Sequence, residues 1–525
     1  MSERDVIVVG GGHNGLVTAG LLAKAGRRVL VLERREVLGG AAATEEVWPG
    51  YKVDTGATDA HLLRAAAVEA LDLPAHGLAF VDSPGVVLAP QPGGGALTLW
   101  REAARTRGEI ARFSARDAEA YPKFLALSAR LIKTLDSISL VTPPNMAGMP
   151  PGEVVAWLRV ALEARRLGRH DMMELIRVLP MAAAEWLNEH FESEALKGLL
   201  AATAVRGGPW GPQGSGTAFM LLYQMLGPAG GQRFVRGGMG ELAAALAGAA
   251  KAHGAEVRTG AEVTRIVLED DGGDGRAVGV ELDGGEMLRA RVIVSNADPR
   301  RTLFGLVGAP NLEPRYMRAI RNVRLRGGVG RVNLALRGLP KFAGVEDTDS
   351  LRGHIVICPS LDYAERAADD AKYGRPSERP VLDMVIPTLL DTSLAPEDHH
   401  ILAVTAQWAP YHLREGEWDA ERDAWGDRVV ALLAEYAPNL PDIIVHRQVI
   451  TPLDYERTYG LTEGSPYHGE MGLDQLLFMR PVAGQGRYRT PIAGLYLCGA
   501  GTHPGGGVTG APGYNAAREI LADMR

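Results

Sequence analysis

The residues whose types and spacing could do chemistry cluster in two glycine-rich turns, one near each end of the chain. Gly10, Gly12 and Gly15 lie in Gly10-Gly11-Gly12-His13-Asn14-Gly15, directly after the apolar run Val6-Ile7-Val8-Val9. Gly499, Ala500, Gly507 and Val508 lie in Gly499-Ala500-Gly501-Thr502-His503-Pro504-Gly505-Gly506-Gly507-Val508-Thr509-Gly510, directly after Leu495-Tyr496-Leu497-Cys498. Each reads as strand, tight turn and helix, an arrangement that aims unpaired backbone N–H groups and a positive helix end at one point. A ligand held from both ends of a 525-residue chain must be extended and partly anionic. Flavin adenine dinucleotide (FAD) fits that description.

The elements around the first turn sharpen the assignment. The spacing Gly10-x-Gly12-x-x-Gly15 opens a helical pattern over Leu16–Ala25, which Gly26 ends. A second strand, Arg28–Leu32, closes on Glu33, a carboxylate at the distance expected for a ribose acceptor. Small residues let backbone approach a pyrophosphate, and Gly15 lets helix and strand pack closely. The tail also matches the dinucleotide spacing at Gly505-x-Gly507-x-x-Gly510. The chain ends at Arg525 with no further strand or ribose acid, so the tail reads as a helix N-terminus closing on the flavin. Backbone N–H groups near Gly507 and Val508 would then stabilise negative charge on the reduced ring.

The continuation Glu33-Arg34-Arg35-Glu36-Val37-Leu38-Gly39-Gly40-Ala41 resembles the flavoprotein group with an E-x-R-x-x-x-G-G segment, which includes amine oxidases, phytoene desaturases and retinol saturases. Most members carry Arg after the glycine pair; Ala41 stands there instead, which disfavours an amine oxidase. Gly39-Gly40-Ala41-Ala42-Ala43-Thr44-Glu45-Glu46 is similar to the phytoene desaturase-like branch of pyridine nucleotide-disulphide oxidoreductase domain-containing protein 2. Arg236–Gly240, Ser295–Pro299, His468–Met471, Met479–Pro481 and the closing stretch to Asn515 extend the likeness along the chain. The resemblance implies an α/β fold, with a Rossmann-type, glutathione reductase-like FAD domain, a β-meander and an interleaved α+β substrate domain. It also implies cofactor contacts at His13, Asn14, Arg34, Gly39, Gly40, Ala41 and Val263, and approach to the flavin ring by Asp54, Thr55 and Gly56.

Cysteine usage excludes the disulphide chemistry in that branch name. Cys358 and Cys498 are far apart, with no C-x-x-C spacing, and two cysteines suit a reducing compartment. A formal charge of −7 gives no reason to expect nucleic acid. The scattered histidines show no ligand spacing, so no metal is expected. The first strand begins almost at once and no apolar run approaches the roughly 20 residues of a membrane span. A cytoplasmic protein is expected, with peripheral membrane contact open.

The pattern predicts an interleaved chain. Residues 1–75, 231–305 and 466–525 read as a discontinuous FAD-binding domain, and 76–230 with 306–465 as a substrate domain carrying a helical insertion. Short strands at Glu262–Leu268, Ala277–Leu282 and Arg289–Ser295, around turns at Asp270–Gly273 and Gly284-Gly285, predict the meander. Strand Val329–Leu336 and helix Glu421–Tyr436 fall in the substrate domain, and Pro143-Pro144 and Pro150-Pro151 break the helical insertion.

Side-chain chemistry is less marked. His503, in the flavin-facing turn, is the candidate catalytic group; its other reading is a histidine that only shapes the turn. His468 and Glu470 read more readily as structural, and Asp59 and His61 as either pocket or loop. The helix over Glu153–Leu162, apolar on one face and followed by Arg165, Arg166 and Arg169, reads as a packed helix or as a lid or membrane-surface element for a lipid-like substrate. Trp210, Phe219, Met220 and Tyr223 are candidate pocket walls or core. The expectation is an FAD-dependent oxidoreductase that forms C=C bonds in an apolar polyene, isoprenoid or lipid-like substrate, with oxygen, a quinone or another carrier as acceptor. Polyene isomerisation, saturation, amine oxidation and non-catalytic FAD binding with a partner are the alternatives.

Overall fold

The computed structural model describes residues 4–144, 148, 151–227, 232–270 and 275–525. The expected turn at Asp271–Gly273 and the break at Pro150 lie outside the described residues.

The run Val6–Val9 is apolar at every position because its strand is covered on both faces. Val6 and Val8 face one core, with Leu16, Leu22, Leu242, Leu246 and Ile520. Ile7 and Val9 face another, with Ile266, Val280, Ile293 and Leu303. The strand Arg4–Val9 is central in a parallel sheet, between Val29–Leu32 and Met287–Ser295, with Glu256–Arg258 and Leu495–Leu497 outside them. Met287–Ser295 is long enough to join these parallel strands to an antiparallel part of the same seven-stranded sheet. Its first residues pair antiparallel with Arg276–Leu282, which pairs with Val263–Glu269, and these three form the meander.

The first helix spans His13–Lys24 and so starts three residues earlier than the periodicity suggests, directly after Gly12. It crosses the C-terminal helix Ala511–Asp523 at very short range. A Cβ on Gly513 would lie 2.2 Å from the Asn14 carbonyl oxygen, and Thr18 Oγ1 donates to the carbonyls of both Asn14 and Gly513 at 3.0 Å. Two distant segments of the chain are thereby fixed beside one another.

A second seven-stranded sheet runs in the order Ile444–Ile450, Val329–Leu336, His400–Gln407, Leu382–Val385, His354–Ile357, Val87–Pro90, Ala96–Leu99. Its neighbours are antiparallel except His354–Ile357 with Val87–Pro90. Alternation assigns its faces. Val332, Leu334, Ile355, Leu382, Leu402 and Val404 pack with Trp425 and Val429 of the helix Trp418–Tyr436. The other face carries Arg331, Asn333, His354, Asp383, Val385 and Thr405. Apart from Val385 these residues are polar and sit on inner strands, where a purely structural sheet would place aliphatic ones.

The helix Pro151–Arg166 departs from ordinary packing. Val154, Val155, Leu158 and Leu162 are exposed, and so are Met173 and Ile176 on the following helix Gly168–Val178. Among the described residues no helix is long and apolar enough to cross a membrane.

Candidate functional site

One cavity runs from the first glycine turn to the polar face of the second sheet. Gly10, Gly12, His13 and Asn14 line it together with Glu33, Arg34, Arg35, Gly39, Gly40, Ala41, Gly56 and Val263. Ala500, Gly507 and Val508 from the second turn close one side of this end. Leu62, Val329, Val385, Leu461 and Tyr467 form apolar wall further in.

The nucleotide end is built from backbone. Gly12 caps the first helix without any side-chain hydrogen bond, and its first turn has no acidic residue, so its N–H groups are left to a ligand. Close approach is enforced at Gly15, where a Cβ would sit 2.3 Å from the Gly10 carbonyl oxygen. Glu33 braces the turn: its Oε2 accepts the Gly11 N–H at 2.7 Å and its Oε1 accepts the Arg35 N–H at 2.9 Å. His13 Nε2 and Asn14 Oδ1 are buried without a hydrogen-bond partner. Burial pushes the His13 imidazole down to about 4, with His468 adding to the shift and the Gly507 backbone opposing it. Uncapped N–H groups in a glycine-lined channel fit the pyrophosphate of FAD.

The sheet end is built from side chains. Asp59 pairs through Oδ1 with His61 Nδ1, and its Oδ2 meets His354 Nε2 at 3.0 Å. His354 Nδ1 meets Asp383 Oδ1 at 2.6 Å, and Arg206 Nη2 lies 2.5 Å from Asp383 Oδ2. All five residues line the cavity. Burial opposes ionisation throughout, yet the partners prevail: Asp59 is held well below the usual carboxylate range by His61 and His354, and Asp383 at about 2 by Arg206 and His354. Burial would lower His354, but Asp383 and Asp59 raise it to about 9.

A family model for flavin-containing amine oxidoreductases matches residues 15–521. The chain belongs to that family. It is an FAD-dependent oxidoreductase of the amine oxidase and phytoene desaturase group. It is 35% identical to pyridine nucleotide-disulfide oxidoreductase domain-containing protein 2 of Rattus norvegicus, over 100% of this chain and 94% of that protein. It is 30% identical to a limonene dehydrogenase component of Castellaniella defragrans, over 100% and 95%. It is 27% identical to a neurosporene-forming phytoene desaturase of Cereibacter sphaeroides, again over 100% and 95%. A solved oxidoreductase from Methanosarcina mazei shares the fold, with a TM-score of 0.61 at 16% identity over 99% of this chain and 100% of that one.

In this oxidoreductase several expected contacts fall outside the cavity. Gly15 and Gly499 act through packing; a Cβ on Gly499 would lie 2.5 Å from the Asn296 carbonyl oxygen. Asp54 Oδ1 accepts from Thr44 Oγ1 at 2.6 Å and from the Met239 N–H at 2.8 Å, tying the turn to the start of the helix Met239–Ala252. Burial raises Asp54 to about 6 despite those bonds. Thr55 Oγ1 donates to Glu45 at 3.0 Å. His503 does not line the cavity either: its Nε2 meets the Ile138 carbonyl at 3.0 Å, and burial lowers it to about 4. In the tail the turn residues Gly507 and Val508 reach the cavity, and the N-terminus of the helix from Ala511 packs on the first helix instead.

Other residues divide cleanly. Glu470 is buried between Arg324 Nε at 2.9 Å and Arg326 Nε at 2.5 Å, a structural ion cluster. His468 lines the cavity with its Nδ1 unpaired. Phe219, Met220 and Tyr223 back the cavity wall through Leu62 and Tyr467. Buried Arg480 donates to the carbonyls of Tyr467, Gly469, Glu470, Gln475 and Ala500, locking the second turn to its neighbour. Arg206, His354 and Asp383 carried no motif. For His354 and Asp383 the sequence signal was a polar residue in an otherwise apolar strand; Arg206, just past the helix Glu194–Val205, had none.

Proposed function

We propose that this oxidoreductase dehydrogenates a carbon–carbon bond of an apolar small molecule, leaving a double bond. The observation that carries this reading is the apolar wall, Leu62, Val329, Val385, Leu461 and Tyr467, continuing inward from the dinucleotide turns. Two relatives bear names that specify limonene and phytoene, both hydrocarbons. Bound FAD supplies a two-electron acceptor, which oxygen, a quinone or another carrier then reoxidises. The chain holds the cofactor through backbone N–H groups, orients the substrate against the apolar wall and excludes water. The exposed Val154, Val155, Leu158, Leu162, Met173 and Ile176, beside Arg159, Arg165, Arg166 and Arg169, suit an anionic lipid surface from which such a substrate is drawn.

The test follows bound-flavin absorbance anaerobically while limonene, a long-chain polyene or an aliphatic amine is added in vesicles with or without anionic lipid. Bleaching by a hydrocarbon, with a product two hydrogens lighter and faster delivery from anionic vesicles, is expected. Bleaching by the amine alone would replace this reading with amine oxidation. A hydrocarbon product of unchanged mass would replace it with isomerisation. Equal rates from both vesicle types would remove the lipid surface.

A further inference from the structure

We infer that His61 is the proton acceptor of the reaction, held in its accepting form by Asp59 and by the His354–Asp383–Arg206 chain behind it. The inference rests on the dehydrogenation proposed above, because that reaction must dispose of a proton as well as a hydride.

His61 lines the cavity, and its ring is buried. Its Nδ1 is committed to Asp59 Oδ1, and the same carboxylate oxygen accepts the His61 backbone N–H at 3.1 Å, which fixes the loop. Its Nε2 is buried with no hydrogen-bond partner. An orphaned imidazole nitrogen on a cavity wall is costly unless a ligand or a reaction uses it. With Nδ1–H donated to Asp59, the lone pair on Nε2 is free to accept a proton. The next residue, Leu62, touches the second glycine turn: a Cβ on Gly507 would lie 2.7 Å from Leu62 Cδ1. The base therefore stands beside the turn that closes the nucleotide end.

The residues behind it act by position. His354 bridges the two carboxylates, with Nε2 on Asp59 and Nδ1 on Asp383, and Arg206 pairs with Asp383. Two anions and two cations cancel, so the cluster presents no net charge to an apolar substrate. Asp59 is kept anionic to accept the hydrogen bond of the His61 Nδ1–H and to stabilise the imidazolium once it forms. Arg206 and His354 are positioning residues.

FAD held at the glycine turns would supply the two-electron acceptor for one substrate hydrogen, which would leave with its bonding pair as hydride. The neighbouring C–H bond breaks toward His61 Nε2, which takes the proton, while that bond's electron pair becomes the new π bond. The substrate loses two hydrogens and two electrons, and the imidazolium later returns its proton to solvent.

The test uses the FAD-loaded protein. In nitrogen-15 NMR of the wild-type holoenzyme, His61 is expected as the neutral tautomer with the proton on Nδ1, a pattern that Asp59→Asn disrupts. His61→Gln should retain full flavin and normal reduction by dithionite, yet slow flavin reduction by a hydrocarbon at least about 100-fold, the usual range for losing a general base. With substrate deuterated at the proton-donating carbon, the isotope effect should rise in His61→Gln. Full-speed reduction in His61→Gln, or a wild-type His61 protonated on Nε2 at the working pH, overturns the inference. Failure of the wild-type protein to be bleached by any hydrocarbon overturns the dehydrogenation reading instead, and then only the tautomer pattern speaks for the dyad.

Discussion

The two ends of the cavity solve opposite problems with opposite materials. At the nucleotide end the protein meets the ligand's charge mainly with backbone dipoles, glycines and the polar side chains His13 and Asn14, with Glu33, Arg34 and Arg35 beside them. At the sheet end the charge belongs to the protein. Asp59, Arg206, His354 and Asp383 compensate one another inside a wall of aliphatic and aromatic residues. An uncapped helix end must stay open to bind an anion. A buried ion cluster must be closed on itself, because each charge left unpaired costs several kcal/mol. The difference shows why one end binds and the other is suited to hold a proton at one atom.

The largest expected effect breaks the backbone end alone. In Gly15→Ala the new Cβ would meet the Gly10 carbonyl 2.3 Å away, so helix and strand must separate. Overpacking of this kind costs about 3 kcal/mol, and the purified protein should carry less than about a tenth of its flavin. The control is Gly108→Ala, where a Cβ meets nothing, and full flavin content is expected there. A fully loaded Gly15→Ala would show that close backbone approach does not limit the nucleotide end.

A middle-sized effect separates the ends by pH. His354 has an ordinary value of 6.5 and a folded value of about 9, so its stabilisation is complete below 6.5 and is lost as pH rises through 9. His13 has a folded value of about 4, so its contribution is complete above 6.5 and is lost as pH falls toward 4. Melting temperature measured from pH 4 to 10 should therefore decline on both sides. His354→Gln should flatten only the alkaline limb relative to its own maximum, and His13→Gln only the acid limb. Flattening of the same limb by both variants would mean that the two ends are not electrostatically separate.

The same contrast explains what was legible in the sequence. The turn at Gly10–Gly15, Glu33 and the pair Gly39-Gly40 work through local backbone geometry, and local geometry leaves a spacing that can be read. The parallel sheet and meander were legible for a similar reason, since Val6–Val9 and the strands after Glu262 have unmistakable apolar patterns. Asp59 and His354 are 295 residues apart and meet only because sheet alternation places His354 on the cavity face. No spacing rule joins them. Of the two readings of His503 the structure favours the turn-shaping one, because its turn faces the cavity at Gly507 and Val508 while its own ring turns to Ile138. Asp54 misled because a buried carboxylate near a flavin turn caps a neighbouring helix just as well.

The smallest expected effect asks whether Glu33 belongs wholly to the backbone end. Both of its oxygens already accept N–H groups, from Gly11 at 2.7 Å and Arg35 at 2.9 Å, while the side chain also lines the cavity. It can therefore act by bracing the turn, by receiving a ribose hydroxyl, or by both. A hydrogen bond to a charged group contributes about 1.5–3 kcal/mol, so losing the one that serves the cofactor in Glu33→Ala should weaken FAD about 10-fold. Glu33→Gln, which keeps one acceptor oxygen but opposes a second N–H with an amide N–H, should weaken it less. Titrating the apoprotein with FAD and with flavin mononucleotide, which lacks the adenosine ribose, separates the two roles. A loss confined to FAD assigns Glu33 to the ribose, whereas equal losses assign it to the turn. Unchanged affinity for both would remove this carboxylate from the nucleotide end and leave that end to backbone alone.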